Sequence, residues 1–162
     1  MPGNHEYYHF DITDKSGILN ERIKNNVTLV NNTSVVHDGV KLLFSTLWSH
    51  ISIANQWQIE RNLNDFHQIK HNGSHFTSEH YNALHYESLD FIKQTVNQSS
   101  GDKMVVFSHH CPTFLNYPPK YKGDTLNEAF ATELYDFIET SNISYWGYGH
   151  HHFNTPDFFI GN

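Results

Sequence analysis

The segment from residue 103 to residue 112 decides the fold prediction. It reads KMVVFS over residues 103–108 and continues directly into HHCP over residues 109–112. A short apolar run rich in valine is typical of a strand buried on both faces of a sheet. A second segment has the same design: ISYWGY, residues 143–148, is followed by a glycine and then by three histidines, residues 150–152. The sequence therefore predicts two buried strands, each ending at a histidine cluster.

The residues between these segments predict helices. Thr77 supplies an N-cap hydroxyl and Glu79 an acid in the first turn, so we expect a helix over about 78–98. A second amphipathic helix is predicted over about 125–140. Its apolar residues at helical spacing are Leu126, Phe130, Leu134, Phe137 and Ile138.

The first half of the chain predicts further strands. Residues 27–31, 34–37 and 40–47 are rich in β-branched and apolar side chains. Asp38-Gly39 lies between the last two segments and is typical of a two-residue hairpin turn. Strands that alternate with helices predict an α/β fold with a parallel or mixed sheet.

Composition limits the classes of function. With 162 residues, the chain has the length of one domain. We expect residues 48–76, which are polar and aromatic, to form a lid that contains a short helix near 53–64.

The net charge of −7 disfavours nonspecific binding to nucleic acid. The single Cys111 excludes an intrachain disulfide, and no apolar run is long enough to span a bilayer. Residues 1–10 lack a signal-peptide pattern, so we expect a soluble, cytoplasmic protein.

The histidine clusters predict a metal site. Polar groups beyond the carboxyl ends of neighbouring strands meet in one crevice of an α/β sheet. The N-terminal turn, GNHE over residues 3–6, adds an amide, an imidazole and an acid. Neutral imidazoles with amide and carboxylate oxygens suit Mn, Fe, Zn or Co.

Three motifs together resemble the calcineurin-like metallophosphoesterase superfamily. They are PGNHE at 2–6, SHHCP at 108–112 and GHHH at 149–152, in the family's order and spacing, and the resemblance extends from residue 2 to about 154. It implies a metallophosphoesterase sandwich, with a mixed β-sheet and flanking helices. It also implies hydrolysis of a phosphate ester by a hydroxide that two metal ions activate.

The resemblance assigns roles residue by residue. Asn4, His109 and His150 resemble the ligands of one metal, and His152 resembles a ligand of the other. His5 resembles the histidine that contacts the phosphate and protonates the leaving oxygen. For His110, both a contact with substrate and simple packing stay open.

The chain departs from the family's pattern in one respect. The family's Asp-x-His and Gly-Asp-x-x-Asp motifs normally precede Gly-Asn-His, and this sequence begins at the third motif. We interpret the carboxylates of Asp65-Phe66-His67, Gly101-Asp102 and Gly123-Asp124 as surface or cap residues and not as replacements. The resemblance then implies an N-terminally truncated, incomplete domain over residues 1–162. Such a domain would bind one metal weakly and could form a homo-oligomer through an exposed sheet edge.

Three functions follow as hypotheses. The first is an active metallophosphoesterase that acts on a small phosphorylated substrate. The second is an inactive fragment with at most one weak metal or phosphate site. The third is a non-enzymatic, histidine-rich metal-binding module, since the chain has 14 histidines.

Smaller expectations concern individual residues of the motifs. We expect Glu6 to cap or orient the N-terminal turn, and His151 to be a spacer that faces solvent. A thiolate nucleophile at Cys111 is the alternative to a buried cysteine at a strand end, and the buried cysteine is the more ordinary explanation.

Overall fold

The computed structural model describes residues 1–14, 19–99, 101 and 103–161. In this part of the chain, eight strands and four α-helices form a mixed α/β fold. The strands are β1 (Leu19–Lys24), β2 (Val27–Asn31), β3 (Thr33–His37), β4 (Val40–Ser45), β5 (Lys70–His71), β6 (Ser74–His75), β7 (Lys103–Ser108) and β8 (Ile143–Gly147). The helices are α1 (Gln56–Asn62), α2 (Asp65–Gln68), α3 (Ser78–Asn97) and α4 (Tyr135–Thr140).

A four-stranded sheet positions the ends of β7 and β8, each followed by histidines, side by side. Its order is β3-β4-β7-β8, with β3 antiparallel to β4 and the other pairs parallel. The β7 and β8 strands therefore end at the same edge, as the alternation of strands and helices predicts. This confirms the mixed sheet with flanking helices.

Local sequence signals account for several elements. Asp38 and Gly39 both have positive φ angles, 48° and 75°, which the turn between β3 and β4 requires. The hydroxyl of Thr77 accepts a hydrogen bond from the amide of His80 and caps α3. The hairpin, the short helix α1 and the long helix α3 are thus confirmed.

Two predictions about the second half of the chain are wrong. The helix expected over 125–140 is divided into a 3-10 helix, Thr125–Ala129, and the short α4. The chain between them pairs with the loop after β7, because the amide of Thr132 donates to the carbonyl of Cys111 and interrupts the helix. The strands β7 and β8 are not buried on both faces either. Phe107 is 37% exposed and Tyr145 is 65% exposed, because helices cover only the opposite face of the sheet.

The buried apolar side chains form two clusters. One lies between the sheet and the helices α3 and α4, and Leu43, Ile92, Met104 and Val106 belong to it. The other is built around Trp48 and gathers apolar residues of the segment 48–76. They are Ile51, Ile59, Phe66, Ile69 and Phe76. Much of this segment is therefore packed into the core, while its role as a lid stays a prediction.

The outer strands of the main sheet are β3 and β8. On β3, Val36 is 69% exposed. A homo-oligomer through a sheet edge stays a prediction. Within the described residues, no helix is both long enough and apolar enough to cross a membrane.

Candidate active site

The N-terminal turn presents the first predicted ligand. Residues Asn4–Tyr7 form a 3-10 helix, and the amide of Gly3 donates a 2.6 Å hydrogen bond to Oε2 of Glu6. This confirms that Glu6 caps the turn. The turn buries Asn4, whose side chain points inward beside the loop after β7.

The loop after β7 brings His109 to Asn4. The backbone amide of His109 donates to the carbonyl of Ser45 and continues the pairing of β7 with β4. Its Nε2 atom lies 3.0 Å from Oδ1 of Asn4. The donor atoms of two predicted ligands of the same metal are therefore adjacent, although the two residues are 105 positions apart in the sequence.

The loop after β8 adds His150. The centroid of its ring lies 4.7 Å from that of His109 and 4.3 Å from that of His110. The ring of Phe130 stacks on the other side of His150 at 4.4 Å. His150 has a φ of 70°, in the left-handed region that residues other than glycine seldom adopt.

Burial keeps these imidazoles neutral. Loss of solvation lowers the pKa of His109 to about 4 and that of His150 to about 3. These pKa values include smaller effects: the carboxylate of Glu6 opposes the shift of His109, and the imidazole of His109 adds to the shift of His150. At neutral pH, His109 and His150 are unprotonated, which is the state that binds a metal.

The structure places the other predicted residues at different depths. His5 and His152 are exposed and line a pocket next to His150. His110 is completely buried, with Nδ1 lying 3.1 Å from the carbonyl oxygen of Thr46 and Nε2 lying 3.0 Å from the hydroxyl of Tyr81. This geometry favours packing for His110, and its contact with substrate stays a prediction.

His151 does not face solvent as expected. It is only 6% exposed, because the rings of Tyr117 and Tyr148 pack against it from two segments of the chain. Its Nδ1 atom accepts a hydrogen bond from the amide of Phe153. His151 therefore holds the loop that follows β8 and belongs to the wall of the pocket.

The interpretation of Asp65 as a surface or cap residue is wrong. The carboxylate is fully buried, and its Oδ1 atom accepts hydrogen bonds from Nδ2 of Asn4 at 2.8 Å and from the hydroxyl of Tyr8 at 2.7 Å. Burial raises the pKa of Asp65, against the effect of these hydrogen bonds. Asp124 does cap the 3-10 helix that begins at Thr125, as expected. Asp102 lies outside the described residues.

A pocket of about 380 Å³ opens beside these groups. It is lined by the histidines 150–152, the N-terminal turn and the segment 62–65. Aromatic side chains complete it, namely Tyr8, Tyr117, Tyr121 and Phe130. This volume is typical of a site for a small molecule.

Cys111 does not have the surroundings of a nucleophile. Burial raises the pKa of its thiol to about 12, and Sγ donates to the carbonyl of Gly149. The thiolate that would attack a substrate is therefore almost absent at neutral pH. Cys111 is therefore a buried residue that follows the end of β7, as expected.

The donor set fits one divalent cation. Asn4 and His109 face each other with their donor atoms, and the ring of His150 lies beside that of His109. Both imidazoles are neutral, and Nε2 of His150 lies 3.3 Å from the carbonyl oxygen of Ala129. In the part of the chain that the structure describes, no group of three or more His, Cys, Asp or Glu residues could hold a metal ion. The amide of Asn4 and the imidazoles of His109 and His150 could thus bind one cation together. A carboxylate that would bridge two metal ions is not among these donors.

Comparison with known proteins agrees with this geometry. The family model of the calcineurin-like phosphoesterases matches residues 1–154, which include all three histidine and asparagine motifs. The chain belongs to the calcineurin-like phosphoesterase family. An uncharacterised protein of Acanthamoeba polyphaga mimivirus is 31% identical over 179 aligned residues, which cover 99% of this chain and 63% of that protein. The chain therefore spans less than two thirds of the length of this relative. No solved structure matches the chain significantly.

Proposed function

We propose that the chain carries the site of a metal-dependent phosphoesterase that hydrolyses a small phosphate ester. The contact of Asn4 with His109, and the position of His150 beside His109 and in the lining of the pocket, support this proposal most directly. Membership of the family suggests phosphoesterase activity in general terms. The activity of this chain and its substrate belong to the proposal.

The roles of the residues follow from their positions. Asn4, His109 and His150 would hold the cation, with His152 at the exposed side of the pocket as a ligand of a second one. When bound, Mn, Fe, Zn or Co would supply Lewis-acid polarisation of the phosphoryl group and a more acidic water. His5 lies exposed at the mouth, where an imidazole N–H can protonate the leaving oxygen as it departs.

The size and charge of the molecule favour a small substrate. A pocket of about 380 Å³ accepts a single phosphorylated molecule of ordinary metabolite size. The net charge of −7 repels a long polyanion such as nucleic acid. We therefore propose a small phosphorylated compound as the substrate.

The experiment is hydrolysis of p-nitrophenyl phosphate with added Mn²⁺, Fe²⁺, Zn²⁺ or Co²⁺. We expect activity that depends on the metal, and a loss of at least roughly a hundredfold in His150→Ala, because a ligand of the metal is removed. The matched control replaces His71, His75 and His80, which lie on or next to the β5–β6 hairpin, with alanine. Absence of hydrolysis with every metal, or full activity in His150→Ala, would contradict the proposal.

A binding-only role is the second candidate. In the described part of the chain, no group of three or more His, Cys, Asp or Glu residues is arranged so that it could hold a metal ion, which favours weak binding of one cation over a tight binuclear centre. Metal content after loading with Mn²⁺ and desalting separates the two candidates. Two ions per chain favour the enzyme, whereas one ion per chain, together with absent hydrolysis, favours binding only.

The histidine-rich module is the third hypothesis. It predicts that the triple alanine variant of His71, His75 and His80 binds Mn²⁺ as poorly as His150→Ala does. The rings of His71 and His80 do stack, with centroids 3.7 Å apart. The same metal-content measurement on both variants tests this hypothesis.

A further inference from the structure

Asp65 is a buried carboxylate in which one oxygen atom accepts hydrogen bonds and the other has no hydrogen-bond partner among the described residues. Oδ1 accepts both hydrogen bonds, from Asn4 and from Tyr8. Oδ2 is buried and has no hydrogen-bond partner among the described residues. A buried polar atom without a partner costs free energy, so a carboxylate at such a position calls for a role that an apolar side chain could not fill.

The contact with Asn4 indicates what that role is. An asparagine side chain has a donating and an accepting end, and a metal binds only the carbonyl oxygen. Because Nδ2 of Asn4 donates to Asp65, Oδ1 of Asn4 points the opposite way, toward Nε2 of His109 at 3.0 Å. An apolar residue in place of Asp65 would leave the amide free to rotate by half a turn and present its NH₂ group to the cation.

We propose that Asp65 is a positioning residue that fixes the amide of Asn4 with its oxygen toward the metal site. Partners of this kind, which orient a ligand without touching the metal, typically contribute about 10- to 100-fold to metal affinity. The proposal rests on the metal site of the proposed function, and it makes no use of hydrolysis.

Tyr8 provides a matched control at the same carboxylate. Its hydroxyl donates to the same Oδ1 atom, while its ring packs against that of His5 with centroids 4.7 Å apart. Tyr8→Phe removes one hydrogen bond to Asp65 and leaves the bond from Asn4 in place. If Asp65 acts through Asn4, the affinity for the metal depends on Asp65 far more than on the hydroxyl of Tyr8.

The experiment is titration of the metal-free chain with Mn²⁺ by isothermal titration calorimetry. Asp65→Leu should weaken binding by about 10- to 100-fold. Asp65→Asn retains an accepting oxygen, and it should stay within about threefold of the wild type, as should Tyr8→Phe. In a chain that already carries Asn4→Ala, Asp65→Leu should have no further effect, because its action requires the amide.

Any one of the following outcomes would overturn the proposal. An equal loss from Asp65→Leu with and without Asn4→Ala would indicate a merely structural role. A loss in Asp65→Asn as large as in Asp65→Leu would assign the effect to the negative charge and not to the hydrogen bond. A wild type that binds no Mn²⁺ would also refute the proposal. If Asp65→Leu does not fold, as judged by its thermal melt, Asp65→Ser replaces it with the same expectations, since serine is too short to reach Asn4.

Hydrolysis of p-nitrophenyl phosphate, measured on the same samples, keeps the two proposals apart. A wild type that binds Mn²⁺ but hydrolyses nothing refutes the activity and leaves the role of Asp65 intact. An Asp65→Leu variant with unchanged affinity refutes the positioning role and leaves the activity intact.

Discussion

Gly3 lies so close to the imidazole of His109 that there is no room for a side chain between them. A Cβ atom on Gly3 would lie 2.6 Å from Cε1 and 2.8 Å from both ring nitrogens of His109. The backbone of Gly3, with φ −90° and ψ −172°, is allowed for any residue. Steric contact with His109, and not backbone freedom, is therefore the reason for a glycine at this position.

The first prediction concerns the variant Gly3→Ala. The added methyl group should push the ring of His109 away from Asn4, at a cost of about 1–3 kcal/mol in overpacking. We expect the affinity for Mn²⁺ to fall by roughly tenfold or more, as for the loss of a ligand's correct orientation. Calorimetric titration with Mn²⁺ measures the effect.

Gly149→Ala is the control for this variant. A Cβ atom on Gly149 would lie 3.9 Å from the carbonyl oxygen of His109, which is an ordinary van der Waals distance. Affinity for Mn²⁺ should therefore change little in Gly149→Ala. Equal losses in both variants would mean that any disturbance near His109 weakens binding, and the specific contact with Gly3 would not explain the result.

Local sequence signals were sufficient for β2 and for the four strands of the main sheet, whereas β1, β5 and β6 were not predicted. The run KMVVFS, the turn at Asp38-Gly39 and the cap at Thr77 each specify a structure from a few adjacent residues. The parallel pairing of β7 with β8 then brings the histidines that follow them together. This part of the site could be predicted because it depends only on strand ends.

The remaining features depend on contacts between distant segments. Asp65 approaches Asn4 across 61 residues, and no pattern near Asp65 distinguishes it from a residue that caps a helix. His151 is buried by Tyr117 and Tyr148, which a motif of consecutive histidines does not reveal. The Asp-x-His letters at residues 65–67 and the apolar neighbour Phe66 were the only local signals at Asp65, and neither indicates a contact with Asn4.

The second prediction is that the metal-free fold weakens in mild acid. Burial lowers the pKa of six histidines below the ordinary 6.5. These histidines are His80, His85, His109, His110, His150 and His151. The unfolded chain binds protons near pH 6.5 while the folded chain does not, so stability is complete above this pH and decreases as the pH falls from 6.5 toward the folded pKa values. Each histidine that stays neutral at pH 5 costs about 2 kcal/mol there.

Thermal melts in EDTA between pH 8 and pH 5 test this prediction. His85 is suited to a variant, because it lies away from the pocket and its Nδ1 atom lies 3.2 Å from the carbonyl oxygen of Leu47. His85→Gln should flatten the dependence of the free energy of unfolding on pH, whereas His37→Asn on the exposed hairpin serves as the surface control. A melting temperature that does not change from pH 7.5 to pH 5 would contradict the prediction.

The third prediction is that Cys111 takes no chemical part in hydrolysis. Its thiol is fully buried and has a pKa of about 12, so iodoacetamide should not modify the folded protein at pH 7.5. Cys111→Ala should keep the activity of the wild type within about threefold and lose about 1–2 kcal/mol of stability from the small cavity. Rapid modification that abolishes activity would revive the thiolate mechanism.

The fourth prediction concerns the charge of the leaving group. Asp65 and Asp124 line the pocket, and none of the described lining residues is a lysine or an arginine. A leaving group that carries its own phosphates would therefore meet negative charge and no cation on the protein. We expect kcat/KM for a nucleoside triphosphate to be at least roughly tenfold below that for the corresponding monophosphate, since like charges that face each other are unfavourable.

The variant Asp124→Asn tests whether this discrimination arises in the pocket. Asparagine caps a helix as well as aspartate does, so the hydrogen bond to the amide of Leu126 and the 3-10 helix should persist. The ratio of kcat/KM for monophosphate over triphosphate should fall by roughly threefold, because the exposed carboxylate of the pocket lining is removed. Both substrates are compared at the same free Mn²⁺ concentration, since triphosphates bind this cation. An equal kcat/KM for both substrates in the wild type would show that the acidic lining does not select the leaving group.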